Sequence, residues 1–288
     1  MQISKEAWGR KFMTNQAFNI ADLLEIRHKV KAEKPLIHCI TNHISINDCA
    51  NVVLAVGAKP IMAEHPAEVS GITASSKALA VNLGNINDTR MQSMLISGKT
   101  AFKKSIPSII DIVGVACSPL RLDFTKNFIS ECHPSVIKGN LSELKALCGM
   151  ESSAKGIDVD EKDAVTNDNI APNIAMLKSL SAKTGSVVAA TGAVDIITDG
   201  TDTYLIKNGC EMLSMITGTG CMLNVLAAAF LSSKNIMGGT ILAIALMGIC
   251  GELSQNTKGP ATFRTTLLDS IFSISDNKLK EKIRYTLK

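Results

Sequence analysis

Residues 35–62 read PLIHCITNHISINDCANVVLAVGAKPIM, and this stretch decides the fold class. The apolar run LIHCI predicts a short buried strand, and the polar loop after it leads into a helix from about Asn47. Gly57 ends that helix, because glycine accepts the left-handed backbone that follows a helix C-terminus, and PIM begins a second strand. Two parallel strands need a crossover connection that is usually helical, so the stretch predicts a β-α-β unit.

The same alternation continues along the chain. Strands are predicted at LAVNLG, PSIIDIVG, SVIKG and SVVAAT, and helices at NIADLLEIRHKVKAE, over residues 88–103, 119–132 and 173–184, and at NLSELKALCG. A hairpin is predicted at VDIITDGTDTYLIKNG, where Asp-Gly and Asn-Gly pairs mark turns. The pattern predicts an α/β fold with a mainly parallel sheet covered by helices on both faces. Any site is expected at the carboxyl ends of the strands.

The domain organisation follows from length and composition. A chain of 288 residues fits one large α/β domain, and we assign residues 1–288 to a single domain. Two polar segments lie outside the regular pattern. One is an N-terminal arm over about 1–18, and the other is an internal variable loop over about 150–172.

The overall composition excludes several classes of protein. Apolar residues make up 46% of the chain and charged residues 19%, which is enough apolar material for a packed core. The net charge is +4, only 4% of residues are aromatic, and the basic residues form no stripe. A nucleic-acid partner is therefore not expected.

The eight cysteines form no C-x-x-C pair and lie mostly in apolar runs, which predicts reduced, buried thiols rather than disulfides or a zinc site. The first residues contain no apolar run typical of a secretory signal, so a cytoplasmic location is expected.

Two long uncharged stretches raise the question of a membrane span. Residues 212–233 and 235–251 carry no charge, and a spanning helix needs about 20 apolar residues. Glycines and polar residues interrupt both stretches, so we interpret them as elements buried in protein, with no membrane partner.

The glycine-rich sequence MITGTGCML, residues 215–223, has three interpretations. A P-loop is excluded, because no Lys-Ser or Lys-Thr pair follows at the required place. A dinucleotide fingerprint is weak, because Leu223 occupies the position of the third glycine. What remains is a turn opening a helix from Cys221 to Leu231, whose free amides would bind an anion, or a simple tight turn into a core helix.

Four blocks of the sequence resemble the bacterial hydroxyethylthiazole kinases. They are residues 35–69, VIKGNLSEL, AATGAVDIITDG and TGTGCMLN, and their order and spacing agree from Pro35 to about Leu268. The resemblance implies a ribokinase-like fold and a homotrimer with active sites at subunit interfaces. It also implies ATP- and Mg²⁺-dependent phosphorylation of 4-methyl-5-(2-hydroxyethyl)thiazole in thiamine salvage.

The resemblance also implies roles for individual residues. Cys221 matches the catalytic residue at the reacting hydroxyl. The other matches are Met62, Asn42 and Gly218 for the substrate, Lys138, Thr191 and Gly220 for ATP, and Asp111 and Glu143 for Mg²⁺. The position of Cys221 at a helix N-terminus predicts a lowered pKa.

Two departures from the family pattern affect these roles. Lys138 stands where the family usually has Arg; it keeps the charge but loses the bidentate geometry. Ile112 stands where the family usually has Pro, so the loop of Asp111 is expected to lie differently.

Two alternative functions stay open at this point. One is another ribokinase-like enzyme acting on a pyrimidine alcohol or sugar. The other is a ligand-binding regulator of the same fold that has lost catalysis, an interpretation motivated by Lys138 and Ile112.

Overall fold

The computed structural model describes residues 18–150 and 170–288. The predicted N-terminal arm and variable loop lie outside the described residues, apart from their edges. At the first edge, Phe18 packs edge-on against Tyr204, with ring centroids 6.1 Å apart. At the second, residues 170–172 already belong to a helix rather than to the loop, so the predicted loop is three residues too long at that end.

The described strands form one sheet in the order β2-β1-β3-β4-β5-β6-β7-β8-β9. The strands are β1 Leu36–Ile40, β2 Lys59–Ile61, β3 Ala78–Asn82, β4 Ser108–Asp111, β5 Val136–Asn140, β6 Val187–Thr191, β7 Asp195–Thr198, β8 Thr203–Ile206 and β9 Tyr285–Leu287. The first six run parallel, and the last three add antiparallel at one edge. The prediction of a mainly parallel sheet with a terminal hairpin is confirmed.

Helices connect and cover these strands. They are α1 Ile20–Glu33, α2 Ile46–Ala55, α3 Val69–Ser75, α4 Asp88–Lys103, α5 Pro119–Cys132, α6 Leu141–Leu147, α7 Ile170–Thr184, α8 Thr219–Leu231, α9 Ile236–Ser254, α10 Pro260–Ser273 and α11 Asp276–Lys282. The bounds predicted for α4 and α5 are confirmed. Both begin after a residue whose side chain accepts a hydrogen bond from the first turn, Asn87 and Ser118.

Each face of the sheet carries its own apolar core, because successive strand residues point to opposite faces. In β3, Ala80 packs in the core with α1, α2, α8, α9 and α10, whereas Leu79 and Val81 pack in the core with α4 and α5. Helices on both faces thus explain why the strands are apolar throughout.

Helix α8 lies within the first uncharged stretch, and α9 covers nearly all of the second. By length and composition alone α9 could cross a membrane, but 83% of its most apolar window is buried within the protein. It packs against α8 and α10. The interpretation as core elements is confirmed for α8 and α9, whereas residues 212–218 before α8 are half-buried or exposed.

The prediction that the cysteines are buried is correct for five of the eight. Cys117 and Cys148 are exposed and Cys210 is half-buried, because each lies in a connection outside the helices and strands that form the two cores. All eight lie within the described residues and are free thiols.

Candidate active site

Polar residues gather at the carboxyl ends of the parallel strands. Asn42 follows β1, Asn82 ends β3, Asp111 ends β4 and Thr191 ends β6. In the sheet register Asn82 lies beside Asp111, and Asp111 lies beside Lys138 of β5. Five chain segments thus bring polar side chains to one edge of the sheet, as expected for an α/β site.

Lys138 and Asp111 form a buried ion pair. The Nζ of Lys138 lies 2.9 Å from Oδ1 of Asp111, and their side chains are 5% and 2% exposed. Burial raises the pKa of Asp111, while Lys138 and a hydrogen bond from Asn82 lower it in part. A lysine nitrogen has three hydrogens, so one bond to Asp111 leaves donors for a ligand.

Glu143 is a buried carboxylate and not the surface charge that a helical position alone would indicate. Its Oε1 accepts a hydrogen bond from the amide of Gly114, and its Oε2 accepts one from the amide of Asn140. The second bond completes a capping box at the start of α6. Burial and then Asp111 raise the pKa of Glu143 to about 7.

The glycine-rich turn lies at the start of α8. The helix begins at Thr219, two residues earlier than predicted. Gly218 precedes the helix with φ of 92°, a left-handed conformation that favours glycine. No side chain of the described residues caps this end, and Gly218 accepts the first helical bond through its carbonyl. The amides that open α8 therefore have no acceptor within the helix and remain available to an anion.

Lys138 extends towards this turn. A Cβ added to Gly220 would lie 3.7 Å from Nζ of Lys138. The same ammonium therefore lies beside Asp111 and beside the uncapped helix start, two positive features at one point of the site.

Cys221 is the third residue of α8 and is buried at that point. Burial raises its pKa, and the negative charge of Asp111 raises it further; hydrogen bonds with Ser45 and Asn42 and the charge of Lys138 oppose this. The prediction of a lowered pKa is wrong, because desolvation of the thiolate exceeds the effect of the helix N-terminus. The thiol is neutral near pH 7.

A cavity of about 610 Å³ opens beside the start of α8. Thr191 and Gly220 line it, together with residues from the β6–β7 turn, the segment before α8, and α9. Its volume falls within the range of small-molecule sites, about 300–1,000 Å³. The predicted ATP-binding positions thus meet at one cavity, with Lys138 close to Gly220 at its edge.

Comparison with known proteins decides what kind of site this is. A family model described as the hydroxyethylthiazole kinase family matches residues 27–277. The chain belongs to the hydroxyethylthiazole kinase family. Membership confirms the resemblance found in the sequence and the predicted enzyme class, a phosphotransferase with an alcohol acceptor.

Relatives of the hydroxyethylthiazole kinase family match nearly the whole chain. Hydroxyethylthiazole kinase 2 of Clostridium botulinum is 66% identical over 261 residues, which are 91% of this chain and 98% of the relative. The hydroxyethylthiazole kinase of Ruminiclostridium cellulolyticum is 42% identical over 260 residues, which are 89% of this chain and 94% of the relative.

Solved structures agree with the fold. A hydroxyethylthiazole kinase protein from Pyrococcus horikoshii has a TM-score of 0.83 at 28% identity, covering 92% of this chain and 98% of that one. A ribokinase-like superfamily protein from Enterococcus faecalis has a TM-score of 0.60 at 13% identity, covering 90% and 98%, which shows the fold alone. The ribokinase-like prediction is confirmed.

The remaining residues predicted from the hydroxyethylthiazole kinase resemblance lie around Cys221 in different ways. Asn42 is half-buried, and its side chain acts to lower the pKa of Cys221, so it lies near the thiol within the same chain. Met62 follows β2 and packs, partly exposed, against the core that contains Cys221. Neither is among the described residues that line the cavity.

Ile112 does not displace Asp111 from the site of this hydroxyethylthiazole kinase family member. Its amide donates a 2.9 Å hydrogen bond to the carbonyl of Lys138, a bond that proline could not make. The backbone pairing of β4 and β5 therefore continues past Asp111, and the different course of this loop relative to the family stays a prediction.

Sequence reasoning missed two polar residues of the site. Asn82 is completely buried and lies between Asp111 and Cys221. Asp195 lines the cavity, is 9% exposed, and has a pKa raised to about 7 by burial. A signal existed for Asn82, since a polar residue closes the apolar run LAV, as Asp111 closes the apolar run of β4.

Proposed function

We propose that this chain transfers the γ-phosphoryl group of ATP to the hydroxyl of 4-methyl-5-(2-hydroxyethyl)thiazole in thiamine salvage. Family membership supports the reaction. The observation that carries the residue assignment is the meeting of Lys138, the uncapped start of α8 and Cys221 at the edge of one cavity.

ATP occupies the 610 Å³ cavity in this proposal. Its phosphates lie at the amides that open α8 and at Nζ of Lys138, because both supply positive potential where the cavity meets Gly220. Thr191 lines the same cavity; its hydroxyl donates to the carbonyl of Gly139 at 3.4 Å and can accept a hydrogen bond from the nucleotide.

The acceptor alcohol lies on the side of Cys221 where Asn42 and Gly218 approach. A Cβ on Gly218 would lie 2.5 Å from Cβ of Ser45, so these two segments already touch and enclose the reacting centre. Met62 supplies a soft, adaptable thioether to the thiazole ring.

The chemical step is in-line transfer. The alcohol oxygen forms a bond to the γ-phosphorus as the bond to the bridging oxygen of ADP breaks, and the alcohol proton passes to Sγ of Cys221 in the small fraction of the protein whose thiol is ionised. Lys138 and the amides of α8 stabilise the charge on the transferring group, which dominates catalysis of phosphoryl transfer.

The carboxylates of Asp111 and Glu143 fit a site for Mg²⁺. Hard oxygen ligands suit this ion, which usually keeps several waters and takes one or two protein carboxylates. Both oxygens of Glu143 accept backbone hydrogen bonds, and those of Asp111 already face Lys138 and Asn82, which favours contact with the ion through water. No group of three or more candidate metal ligands occurs in the described residues. When bound, Mg²⁺ would supply charge neutralisation for the phosphates.

We further propose a cytoplasmic homotrimer with active sites at subunit interfaces, as the family resemblance implies. The loop that carries Asn42 presents Ile44 with 64% of its surface exposed, which suits an apolar contact with a neighbouring subunit. Light scattering of the wild type and of Ile44→Asp tests the assembly, and a monomeric wild type with full activity contradicts it.

An ADP-release assay tests the function. Turnover with the thiazole alcohol, dependent on Mg²⁺ and larger than with pyrimidine alcohols or sugars, supports the proposal. Turnover only with those other alcohols supports the ribokinase-like alternative. Ligand binding by calorimetry without turnover supports a regulator.

A further inference from the structure

We infer that Asn82 is a positioning residue of phosphoryl transfer, whose side-chain amide holds the sulfur of Cys221 and the carboxylate of Asp111 in one fixed arrangement. The inference rests on the proposed role of Cys221 at the reacting hydroxyl. It adds a residue that connects the phosphate side of the site to the acceptor side.

The orientation of the Asn82 amide is fixed by its carbonyl oxygen. Oδ1 accepts a 2.8 Å hydrogen bond from the backbone amide of Gly84, which can only donate. Nδ2 must therefore point the other way, into the site.

The two hydrogens on Nδ2 have two acceptors there. Nδ2 donates to Oδ2 of Asp111 at 2.8 Å and to Sγ of Cys221 at 3.5 Å. Because an amide nitrogen carries two donors in a fixed plane, these bonds set the direction of the sulfur relative to the carboxylate.

Asn82 has no freedom to change this geometry. It is completely buried, and the guanidinium of Arg90 clamps the backbone around it. Arg90 donates to the carbonyl of Thr41 at 2.6 Å, to that of Gly84 at 2.7 Å and to that of Asn82 at 3.5 Å. One buried side chain thus joins the ends of β1 and β3, so the amide is rigidly placed before substrate binds.

The hydrogen bond to Sγ matters most when the sulfur carries charge. A donor facing a thiolate is a charge-assisted hydrogen bond, which is stronger than a neutral one. When Cys221 is a thiolate, the amide lies between two anions, since it donates to Asp111 at the same time. Its loss should therefore slow transfer while leaving nucleotide binding in the cavity largely unchanged, because Asn82 does not line the cavity.

A double-mutant cycle tests the inference. Turnover and KM for ATP are measured for the wild type, Asn82→Ala, Cys221→Ala and the double variant. We expect Asn82→Ala to lower kcat about tenfold to a hundredfold in the wild type, and less than about threefold in the Cys221→Ala background. KM for ATP should change less than about threefold in either background.

Two further variants guard against a purely structural effect. Asn224→Ala removes another completely buried amide at the contact of α8 with β3, where Nδ2 donates to the carbonyl of Val81. It should lower the melting temperature without changing kcat. Asn82→Asp keeps the shape and the acceptor for Gly84 but loses the donors, and it should lose kcat even if Asn82→Ala does not fold.

The outcomes separate the inference from the proposal beneath it. Equal losses from Asn82→Ala in both backgrounds would show that Asn82 acts through Asp111 alone and would overturn the inference. An unchanged kcat in Cys221→Ala by itself would overturn the role of Cys221, and the inference with it. Full activity of folded Asn82→Asp overturns the inference while leaving Cys221 in its role.

Discussion

The ammonium of Lys138 and the carboxylate of Asp111 meet at 2.9 Å with both side chains almost completely buried. The desolvation of both charges offsets most of their attraction, so such a pair adds little net stability. Removing one partner is different, because it leaves the other charge buried and unpaired, at a cost of about 3–5 kcal/mol in typical proteins. The arrangement therefore serves the site: it holds a cation next to Gly220, at the edge of the cavity beside α8.

Lys138→Ala should raise KM for ATP about tenfold or more and KM for the thiazole much less, because the ammonium faces the phosphates. Steady-state kinetics with each substrate varied checks this. Lys99→Ala is the matched control, since it removes a cation from an exposed pair with Glu131 and should change neither constant. Equal increases in both constants for Lys138→Ala would argue against a phosphate role.

Cys221→Asp should keep or improve turnover, whereas Cys221→Ser should weaken it. A general base is worth about 10² to 10⁴ in rate, and burial and Asp111 raise the pKa of the thiol, so little thiolate is present at neutral pH. A carboxylate ionises at much lower pH. Wild-type kcat should therefore rise with pH through the alkaline range, and kcat of Cys221→Asp should rise less. A folded but inactive Cys221→Asp would contradict the base assignment.

Asp195→Asn should change how stability depends on pH. The pKa of Asp195 is raised from 3.8 to about 7 in the folded protein, so between these values the unfolded chain loses the proton and the folded protein keeps it. The free energy of unfolding therefore falls as pH rises through this range, by up to about 1.4 kcal/mol per pH unit. Asparagine still accepts the hydrogen bond from the amide of Gly192. It does not titrate, so the stability of the variant lacks this contribution to the pH dependence.

The measurement is the melting temperature of both proteins from pH 4.5 to 7.5. As pH rises, the melting temperature of Asp195→Asn should increase relative to that of the wild type. Glu143, with a pKa raised to about 7, imposes a slope of the same sign on both proteins, so the difference isolates Asp195. A constant difference across the range would show that Asp195 titrates near its ordinary pKa.

Gly218→Ala should cost both stability and activity. Its φ of 92° strains any other residue, and the added Cβ would lie 2.5 Å from Cβ of Ser45. Gly149→Ala isolates the backbone strain, because Gly149 has a φ of 74° and an added Cβ there would have nothing within 4 Å. In denaturant unfolding, the free energy of unfolding should fall by about 1–2 kcal/mol for Gly149→Ala and by more for Gly218→Ala. Equal losses would contradict the close contact with Ser45.

Much of this architecture was predictable because it depends on local patterns. The apolar runs of the parallel strands identified those strands, and the bounds predicted for α4 and α5 match the observed helices. Helices α3, α10 and α11 and strand β9 were not predicted. Helix α3 and strand β9 are short, and β9 exists because β8 offers an open edge.

The candidate site was predictable in its residue types but not in its electrostatics. Cys221 stands at the helix start where the sequence placed it, yet burial raises its pKa instead of lowering it. The burial of a side chain depends on which elements pack around it, and that is a property of the whole fold.

The sequence by itself determined the parallel α/β sheet, the glycine-rich opening of α8 and the resemblance that family membership confirms, because periodicity, turn residues and motif spacing are written along the chain. Only the tertiary structure decided that Asn82 donates to both Asp111 and Cys221, and that Lys138 lies beside Gly220. Asn82 is 29 positions from Asp111 and 139 from Cys221, and only the register of the sheet and the packing of α8 bring them within hydrogen-bonding distance.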